Sequence, residues 1–127
     1  HAEALREVGR VLKPGAMLVL TDLPTLPTTS EEFLSFVDEH IHSRFVTREA
    51  YPQLMADAGF ELVGVDDITE NVMPWLVPKL EAAIAEHRDR VDQVMGDKAR
   101  EAIDEWVYLF EYMSENLGYV VVTARKT

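Results

Sequence analysis

The chain contains no cysteine, and this absence removes several kinds of chemistry before any motif is considered. A disulfide framework, a thiolate metal site and a cysteine nucleophile are all excluded. No apolar run approaches the roughly 20 residues that a membrane-spanning helix needs. Charged residues also interrupt any signal-peptide pattern at the start of the chain. We therefore expect a soluble, cytoplasmic protein without a membrane partner.

Basic residues are scarce, because 12 Lys and Arg oppose 23 Asp and Glu and leave a net charge of −11. A surface of this sign repels nucleic acid phosphates, so we expect no nucleic acid partner. We expect no metal site either. The two histidines of one acidic segment, His40 and His42, lie two residues apart, and this spacing directs side chains to different sides of a helix.

The beginning of the chain has the pattern of a helix followed by a strand. Its 127 residues, 47% of them hydrophobic, are enough for one globular core. Apolar residues at steps of three and four over 3–13 predict an amphipathic helix, which Pro14 and Gly15 end. The apolar run over 16–22, ending at Asp22, predicts a strand covered on both faces.

The middle of the chain is predicted to continue through a loop over 23–29. The elements predicted next are a helix over 31–42 with Ser30 as N-cap, a helix over 48–58 with Thr47 as N-cap, and a half-buried strand over 60–68 after the turn residue Gly59.

Two prolines, Pro74 and Pro78, interrupt the residues after this strand. They predict that a long helix begins at or after Pro78 and runs to Gly96, with His87 on its buried stripe. The last predicted elements are a helix over 98–115, whose apolar surface extends almost all the way round it, and a strand over 119–124 with Arg125-Lys126 as an exposed tail.

Alternation of helices with three strands indicates an α/β fold, and so few strands make an edge of a doubly wound sheet rather than a whole one. None of the six glycines forms a glycine-rich turn from a strand into a helix. The chain alone is therefore expected to have no cofactor cradle of its own.

Three segments carry a family resemblance. Residues 5–22, LREVGRVLKPGAMLVLTD, are similar to the stretch LREIxRVLKPGGxLxLxD, with Ala16 at the position of its second Gly. Residues 58–63 resemble an "aGFe" turn into a strand, and residues 118–126 resemble a final antiparallel strand. The three segments occur in the order found in class I S-adenosylmethionine-dependent methyltransferases, and the resemblance covers nearly the whole chain.

The resemblance implies the C-terminal half of a Rossmann-like methyltransferase sheet, with strands five to seven, the last one antiparallel, and an inserted helical cap. The closest likeness is to small-molecule methyltransferases of the rebeccamycin sugar, sarcosine/dimethylglycine and geranyl-diphosphate type. Within this single half-domain, the implied sheet-edge residues are 1–29, 47–70 and 118–127, and the implied helical lid or cap residues are 30–46 and 71–117.

The family's glycine-rich cofactor loop would lie before His1, which is either native or left from a tag. The resemblance therefore implies S-adenosylmethionine as the cofactor of a full-length parent, and an inactive chain when this part is alone. The parent would methylate oxygen, nitrogen or carbon of a small-molecule substrate. The rival hypothesis is a stand-alone module without catalysis that binds a small ligand or a protein.

Asp22 is the candidate catalytic residue. It ends a strand of an open α/β sheet, at the edge where ligands bind, and the resembling sugar and amine methyltransferases have an acidic residue here that faces the substrate. Such a carboxylate can accept a proton or polarise the attacking group. The alternative is a strand-terminal Asp that caps the next loop.

The candidate substrate-binding residues are Asp67, Thr69, Asn71, Met73, Trp75, Tyr108 and Tyr112. The first three follow the second strand, where Asp67 and Thr69 are alternatively ordinary turn formers. Met73 and Trp75 form a pocket wall or pack a cap helix. Tyr108 and Tyr112 orient a polar substrate or belong to the core.

The first strand is expected to leave one edge unpaired within this chain. An open apolar edge pairs readily with another strand. We therefore expect a homodimer, or association with the missing N-terminal half.

Overall fold

The computed structural model of the chain describes residues 2–41 and 44–127. Within them, helices alternate with three strands, as the sequence predicts. The elements are α1 (Ala2–Val11), β1 (Met17–Asp22), α2 (Glu31–His40), α3 (Tyr51–Asp57), β2 (Phe60–Asp67), α4 (Thr69–Glu86), α5 (Arg88–Met95), α6 (Ala99–Asn116) and β3 (Val120–Lys126), with 3₁₀ turns at Arg48–Ala50 and Gly96–Lys98.

The sheet has the order β1-β3-β2, and β3 is antiparallel to both neighbours. The expected final antiparallel strand is therefore confirmed. Because β3 opposes both outer strands, β1 and β2 run in the same direction and end at the same edge. Val120 of β3 pairs with Asp22 on one side and with Asp67 on the other. This register places the last residues of the two outer strands in one row.

A first core lies between one face of the sheet and helices α1 and α3. Tyr51, Met55 and Phe60 are buried in it together with the inward-facing residues of β3. Gly9 of α1 packs so closely here that an added Cβ would lie 2.9 Å from the carbonyl oxygen of Ala58. The helix–strand turn after α3 is made by a glycine with a φ of 78°, a conformation that glycine adopts without strain.

A second core joins helices α2, α4 and α6, and we call these three helices the cap. Phe33 is fully buried in it, and the ring of Tyr112 meets the ring of Phe33 edge-on at 5.1 Å. Ser30 caps α2 as predicted, because its hydroxyl accepts a hydrogen bond from the Phe33 N–H at 3.1 Å. The predicted end of this helix, His42, lies outside the described residues.

Buried Asn116 ties the two ends of the cap together. Its side-chain oxygen accepts a hydrogen bond from the Ser30 N–H at 2.9 Å, and its amide donates to the Tyr112 carbonyl at 3.0 Å. The hydroxyl of Thr29 donates to the Asn116 carbonyl at 2.5 Å. The C-terminus of α6 is thus fixed to the N-terminus of α2.

The prediction that a helix begins at or after Pro78 is wrong. Helix α4 begins at Thr69 and contains both Pro74 and Pro78. Each proline removes one helical hydrogen bond, but packing against α6 and burial of Met73 hold the helix in place. Tertiary contacts have overridden the local helix-breaking signal.

The predicted continuous stripe through His87 is also wrong. His87 separates α4 from α5, and its side chain is exposed rather than buried. Beyond it, Val94 is 79% exposed and Met95 is 42% exposed. The stripe fails because the chain does not continue as one helix through His87, so the regular spacing of the apolar residues is interrupted there.

Three smaller expectations are corrected by the structure. Thr47 is the N-cap of the 3₁₀ turn at Arg48–Ala50 rather than of α3, and its side chain makes no capping hydrogen bond. Lys126 is a strand residue rather than an exposed tail: its Nζ donates to the Gly59 carbonyl at 3.0 Å and lies 5.5 Å from the Phe60 ring centroid. Strand β1 is covered on one face only, since alternate residues such as Val19, 62% exposed, face outward.

Candidate functional site

The site begins with two carboxylates at the carboxyl ends of β1 and β2. Asp22 and Asp67 flank Val120 in one row of the sheet, so their side chains leave the same face. Two inter-strand steps separate their Cα atoms by about 10 Å. Asp66 lies one residue earlier, and the alternation of a strand directs its side chain to the opposite face.

Both oxygens of the Asp22 carboxylate accept hydrogen bonds from the protein. The Leu23 N–H donates to Oδ1 at 2.9 Å, and the Tyr51 hydroxyl donates to Oδ2 at 3.0 Å. Tyr51 is only 1% exposed. Burial, followed by the negative charge of Asp22 and this hydrogen bond, raises the pKa of the Tyr51 phenol above its ordinary value. The phenol therefore stays protonated and acts as the donor.

The Asp67 carboxylate accepts hydrogen bonds from three donors. Thr69 donates from its hydroxyl at 2.6 Å and from its backbone N–H at 3.0 Å, and Arg48 Nη1 donates at 3.2 Å. The hydrogen bonds from Thr69 and the Arg48 charge lower the pKa of Asp67. The Thr69 hydroxyl also accepts from the Tyr119 N–H at 2.9 Å. Thr69 thus joins the end of β2 to the start of β3.

One short segment contacts both carboxylates. We call residues 48–51 the Arg48–Tyr51 turn, since Arg48 contacts Asp67 and Tyr51 contacts Asp22. Arg48 Nη2 also donates to the Val65 carbonyl at 3.2 Å. Sequence reasoning missed both residues and placed them in an ordinary amphipathic helix. Their spacing of three, which puts two side chains on one side of a helical turn, was the available signal.

Two cavities flank this turn. The larger, about 330 Å³, is called the proline-loop cleft and is lined by Pro24, Thr25, Leu26, Pro27, Thr47, Arg48, Glu49, Asp67, Thr69 and Gly118. The smaller, about 170 Å³, is called the β1-edge pocket and is lined by Ala4, Leu5, Leu20, Thr21, Asp22, Tyr51, Leu54 and Met55. Asp67 and Asp22 therefore border adjacent cavities rather than a common one.

The remaining candidate residues lie on the cap, and none of them lines either cavity. Asn71 is exposed in the first turn of α4, and Trp75 is 58% exposed farther along it. Met73 is buried and packs in the second core. Tyr112 packs against the same core, whereas Tyr108, one turn earlier on α6, is 56% exposed.

The described residues do not fit a nucleotide cofactor by themselves. Their three positive-φ glycines, Gly15, Gly59 and Gly96, precede strands or connect helices, so none opens a helix after a strand. Over residues 2–41 and 44–127, no three His, Asp or Glu side chains cluster so as to hold a metal ion. No helix in this part of the chain is long and apolar enough to cross a membrane.

No protein-family model matches the chain. Its sequence relatives include an O-methyltransferase, cnsE of Penicillium expansum, which is 28% identical over 97% of this chain and 41% of its own length. The (+)-O-methylkolavelool synthase of Herpetosiphon aurantiacus is 27% identical over 96% of this chain and 44% of its own length. The chain thus spans less than half the length of either relative.

Solved structures share the fold over nearly the whole chain. Phosphoethanolamine N-methyltransferase 2 of Haemonchus contortus, 19% identical, has a TM-score of 0.75 over 98% of this chain and 29% of its own. A sarcosine dimethylglycine methyltransferase from Galdieria sulphuraria, 18% identical, has a TM-score of 0.73 over 99% and 47%. The [4+2]-cyclase SpnF, 25% identical, has a TM-score of 0.68 over 98% and 43%.

The expected likeness to geranyl-diphosphate enzymes is also found, since geranyl diphosphate methyltransferase has a TM-score of 0.61 at 19% identity, over 99% of this chain and 45% of its own. The resemblance of the three sequence segments is therefore confirmed by comparisons that cover almost every residue. The chain is similar, from one end to the other, to the C-terminal part of longer S-adenosylmethionine-dependent methyltransferases.

Proposed function

We propose that the chain is the acceptor side of a longer S-adenosylmethionine-dependent methyltransferase, with Asp22 as the group that accepts a proton from the methyl acceptor. The observation that carries the proposal is the Asp22 carboxylate itself. It stands at the carboxyl end of a strand, where ligands of open α/β sheets bind, and two donors fix both of its oxygens. S-adenosylmethionine would supply the methyl group, held by residues outside this chain.

The chemistry required of Asp22 is small. An acceptor hydroxyl or amine loses one proton as it gains a methyl group, and a carboxylate oxygen takes up that proton to become a carboxylic acid. Much of the rate gain in a displacement comes from holding the two reacting groups in line. A rigidly held carboxylate therefore contributes by orienting the acceptor as well as by receiving its proton.

Because Asp22 lines the β1-edge pocket, the reacting atom of the acceptor must approach that pocket. The adjacent proline-loop cleft is the proposed place for the part of the acceptor remote from the reacting atom. Its volume of about 330 Å³ lies within the range of small-molecule sites. Asp67 and Glu49 line it beside Arg48, which already contacts Asp67. Two carboxylates against one guanidinium give the lining of the cleft an excess of negative charge. This excess favours a neutral or cationic small molecule over a phosphorylated one. Contacts from Asn71, Trp75 and Tyr108 to the acceptor remain predictions, because they require a substrate that reaches the cap.

Association through β1 also belongs to the proposal. Within the described residues, β1 pairs on one side only, with β3. Its outward residues Met17 and Val19 are 47% and 62% exposed. An edge of this kind pairs readily with a further strand. We propose that this edge is covered by the N-terminal part of the longer protein, or by a second copy when the chain is alone.

A second function is favoured by one observation, the likeness to a [4+2]-cyclase. One fold can support different chemistries, so similarity of structure does not by itself distinguish methyl transfer from cyclisation. A non-catalytic binding module is the third possibility. Formation of S-adenosylhomocysteine separates the first from the other two, since neither of them consumes the cofactor.

The test compares Asp22→Asn with Asp66→Asn in the longer protein. Both changes remove one negative charge near the same strand ends, but the side chain of Asp66 leaves the other face of the sheet. We expect Asp22→Asn to lower turnover by about 10²- to 10⁴-fold, as for loss of a general base, with little change in cofactor affinity. Asp66→Asn should stay within about twofold, since surface changes are nearly neutral. Equal turnover in the two variants would reduce Asp22 to a loop cap.

A further inference from the structure

We infer that Tyr51 is a positioning residue, which acts through Asp22 and not by touching the substrate. The inference rests on the proposed function of Asp22. Its basis is the position of the Tyr51 hydroxyl, 3.0 Å from Asp22 Oδ2, at the polar end of the β1-edge pocket. Neither the sequence pattern nor the comparisons assign a role to this tyrosine.

Leu23 and Tyr51 restrict the Asp22 carboxylate through different oxygens. The Leu23 N–H fixes Oδ1. The Tyr51 hydroxyl fixes Oδ2 as well. With both oxygens held, rotation of the carboxylate breaks a hydrogen bond, and the group stays in one orientation as an acceptor approaches.

The donor is itself held rigidly, as a positioning residue requires. The Tyr51 side chain is almost fully buried in the first core, beside Met55 and Val120. Three residues earlier, Arg48 binds the Val65 carbonyl and the Asp67 carboxylate. The Arg48–Tyr51 turn is therefore attached to both outer strands. A shift of the Tyr51 hydroxyl, which donates to Asp22, would also disturb the contacts of Arg48 at the end of β2.

The direction of the hydrogen bond follows from the charges. Asp22 accepts and Tyr51 donates, and burial beside a carboxylate disfavours the phenolate. A buried donor that keeps its proton serves to orient the carboxylate. It would be a poor proton relay, because the relay step requires the phenol to ionise.

Tyr51→Phe tests the inference because it keeps the ring and removes the hydroxyl alone. In the longer protein we expect turnover to fall about 10- to 100-fold, the scale of a misplaced reacting group, with the acceptor KM changed less than about twofold. Tyr119→Phe is the matched control, because it removes the hydroxyl of a neighbouring, partly buried tyrosine and should leave turnover unchanged.

A double variant separates positioning from an independent effect. If Tyr51 acts through Asp22, then Tyr51→Phe added to Asp22→Asn lowers turnover no further than about twofold, whereas independent residues would multiply their effects. Multiplied effects, or an unchanged Tyr51→Phe enzyme beside a slow Asp22→Asn enzyme, would overturn this inference and leave the role of Asp22 intact. Normal turnover of Asp22→Asn would overturn both proposals.

A measurement on this chain alone tests the contact without any activity. Tyrosines labelled with ¹³C at Cζ give one resonance for each of the four tyrosines, and Tyr51→Phe identifies the Tyr51 signal. In the native chain the pKa of Tyr51 should lie above its ordinary value. In Asp22→Asn it should fall, yet stay above its ordinary value because burial persists. A Tyr51 signal that titrates identically with and without the Asp22 charge would refute the contact and the inference.

Discussion

Replacing Asn116 by alanine should loosen the cap, because this one side chain joins the end of α6 to the start of α2. Asn116 is 5% exposed and uses both halves of its amide, accepting from the Ser30 N–H and donating to the Tyr112 carbonyl. Alanine keeps the backbone carbonyl that accepts the Thr29 hydroxyl. The variant therefore removes two hydrogen bonds and leaves the third.

The expected loss of stability is the sum of the costs to the two backbone groups that lose their hydrogen-bond partner. The Ser30 N–H loses its acceptor in a partly buried position, which costs about 1–3 kcal/mol. The Tyr112 carbonyl loses one donor, which costs about 0.5–1.5 kcal/mol. Alanine regains about 0.5 kcal/mol through its higher helix propensity. The free energy of unfolding should fall by about 2 kcal/mol, which lowers the Tm by about 8 °C for a chain of this length.

Urea unfolding followed by circular dichroism measures this change, with the m-value checked for constancy. Asn71→Ala is the control, because it deletes the same amide from an exposed position in α4 and should change stability by less than about 0.5 kcal/mol. If Asn116→Ala were as stable as Asn71→Ala, water would have replaced the amide, and the linkage between α2 and α6 would be wrong.

Three further experiments have definite expected results. Gly9→Ala should destabilise by about 1–3 kcal/mol in urea, because its Cβ would lie 2.9 Å from the Ala58 carbonyl oxygen; greater stability would contradict the close packing of α1. Above pH 10 the wild-type chain should lose stability by up to about 1.4 kcal/mol per pH unit relative to Tyr51→Phe, because the phenol ionises in the unfolded chain and keeps its proton in the native one. If the free energies of unfolding of the two chains changed in parallel with pH, the raised pKa of Tyr51 would be contradicted. The isolated chain should sediment as a dimer at micromolar concentration, because β1 exposes Met17 and Val19 beside an unpaired edge among the described residues; a compact monomer at every salt concentration would contradict the open edge.

Local signals were enough to predict the three strands and most helix ends. Pro14 and Gly15 mark the start of β1, Gly59 marks the start of β2, and Ser30 caps α2. Each of these signals acts through the conformation of its own residue or of the next few residues. It can therefore be recognised in the sequence without information about tertiary contacts. The two acidic strand ends, Asp22 and Asp67, were predicted on the same basis.

The start of helix α4 and the donors to the two carboxylates depended on contacts between residues that are distant in the sequence. Helix α4 runs through Pro74 because Met73 packs against α6, which begins some 25 residues later in the chain. The Arg48–Tyr51 turn reaches Asp22 and Asp67 only because β3 lies between β1 and β2. Strand order is not visible in a periodic pattern. The spacing of Arg48 and Tyr51 therefore indicated a shared side of one turn, but not the two carboxylates that these residues contact.

The most direct test of the account is a calorimetric titration with S-adenosylmethionine. The titration uses two samples, this chain alone and the longer polypeptide that we propose. We predict that the longer polypeptide binds S-adenosylmethionine. The chain alone should show no binding tighter than about 100 µM, or about −5.5 kcal/mol, because its described glycines form no strand-to-helix cradle. Tight binding by the chain alone, or none by the longer polypeptide, would contradict the claim that this chain is the acceptor side of a methyltransferase.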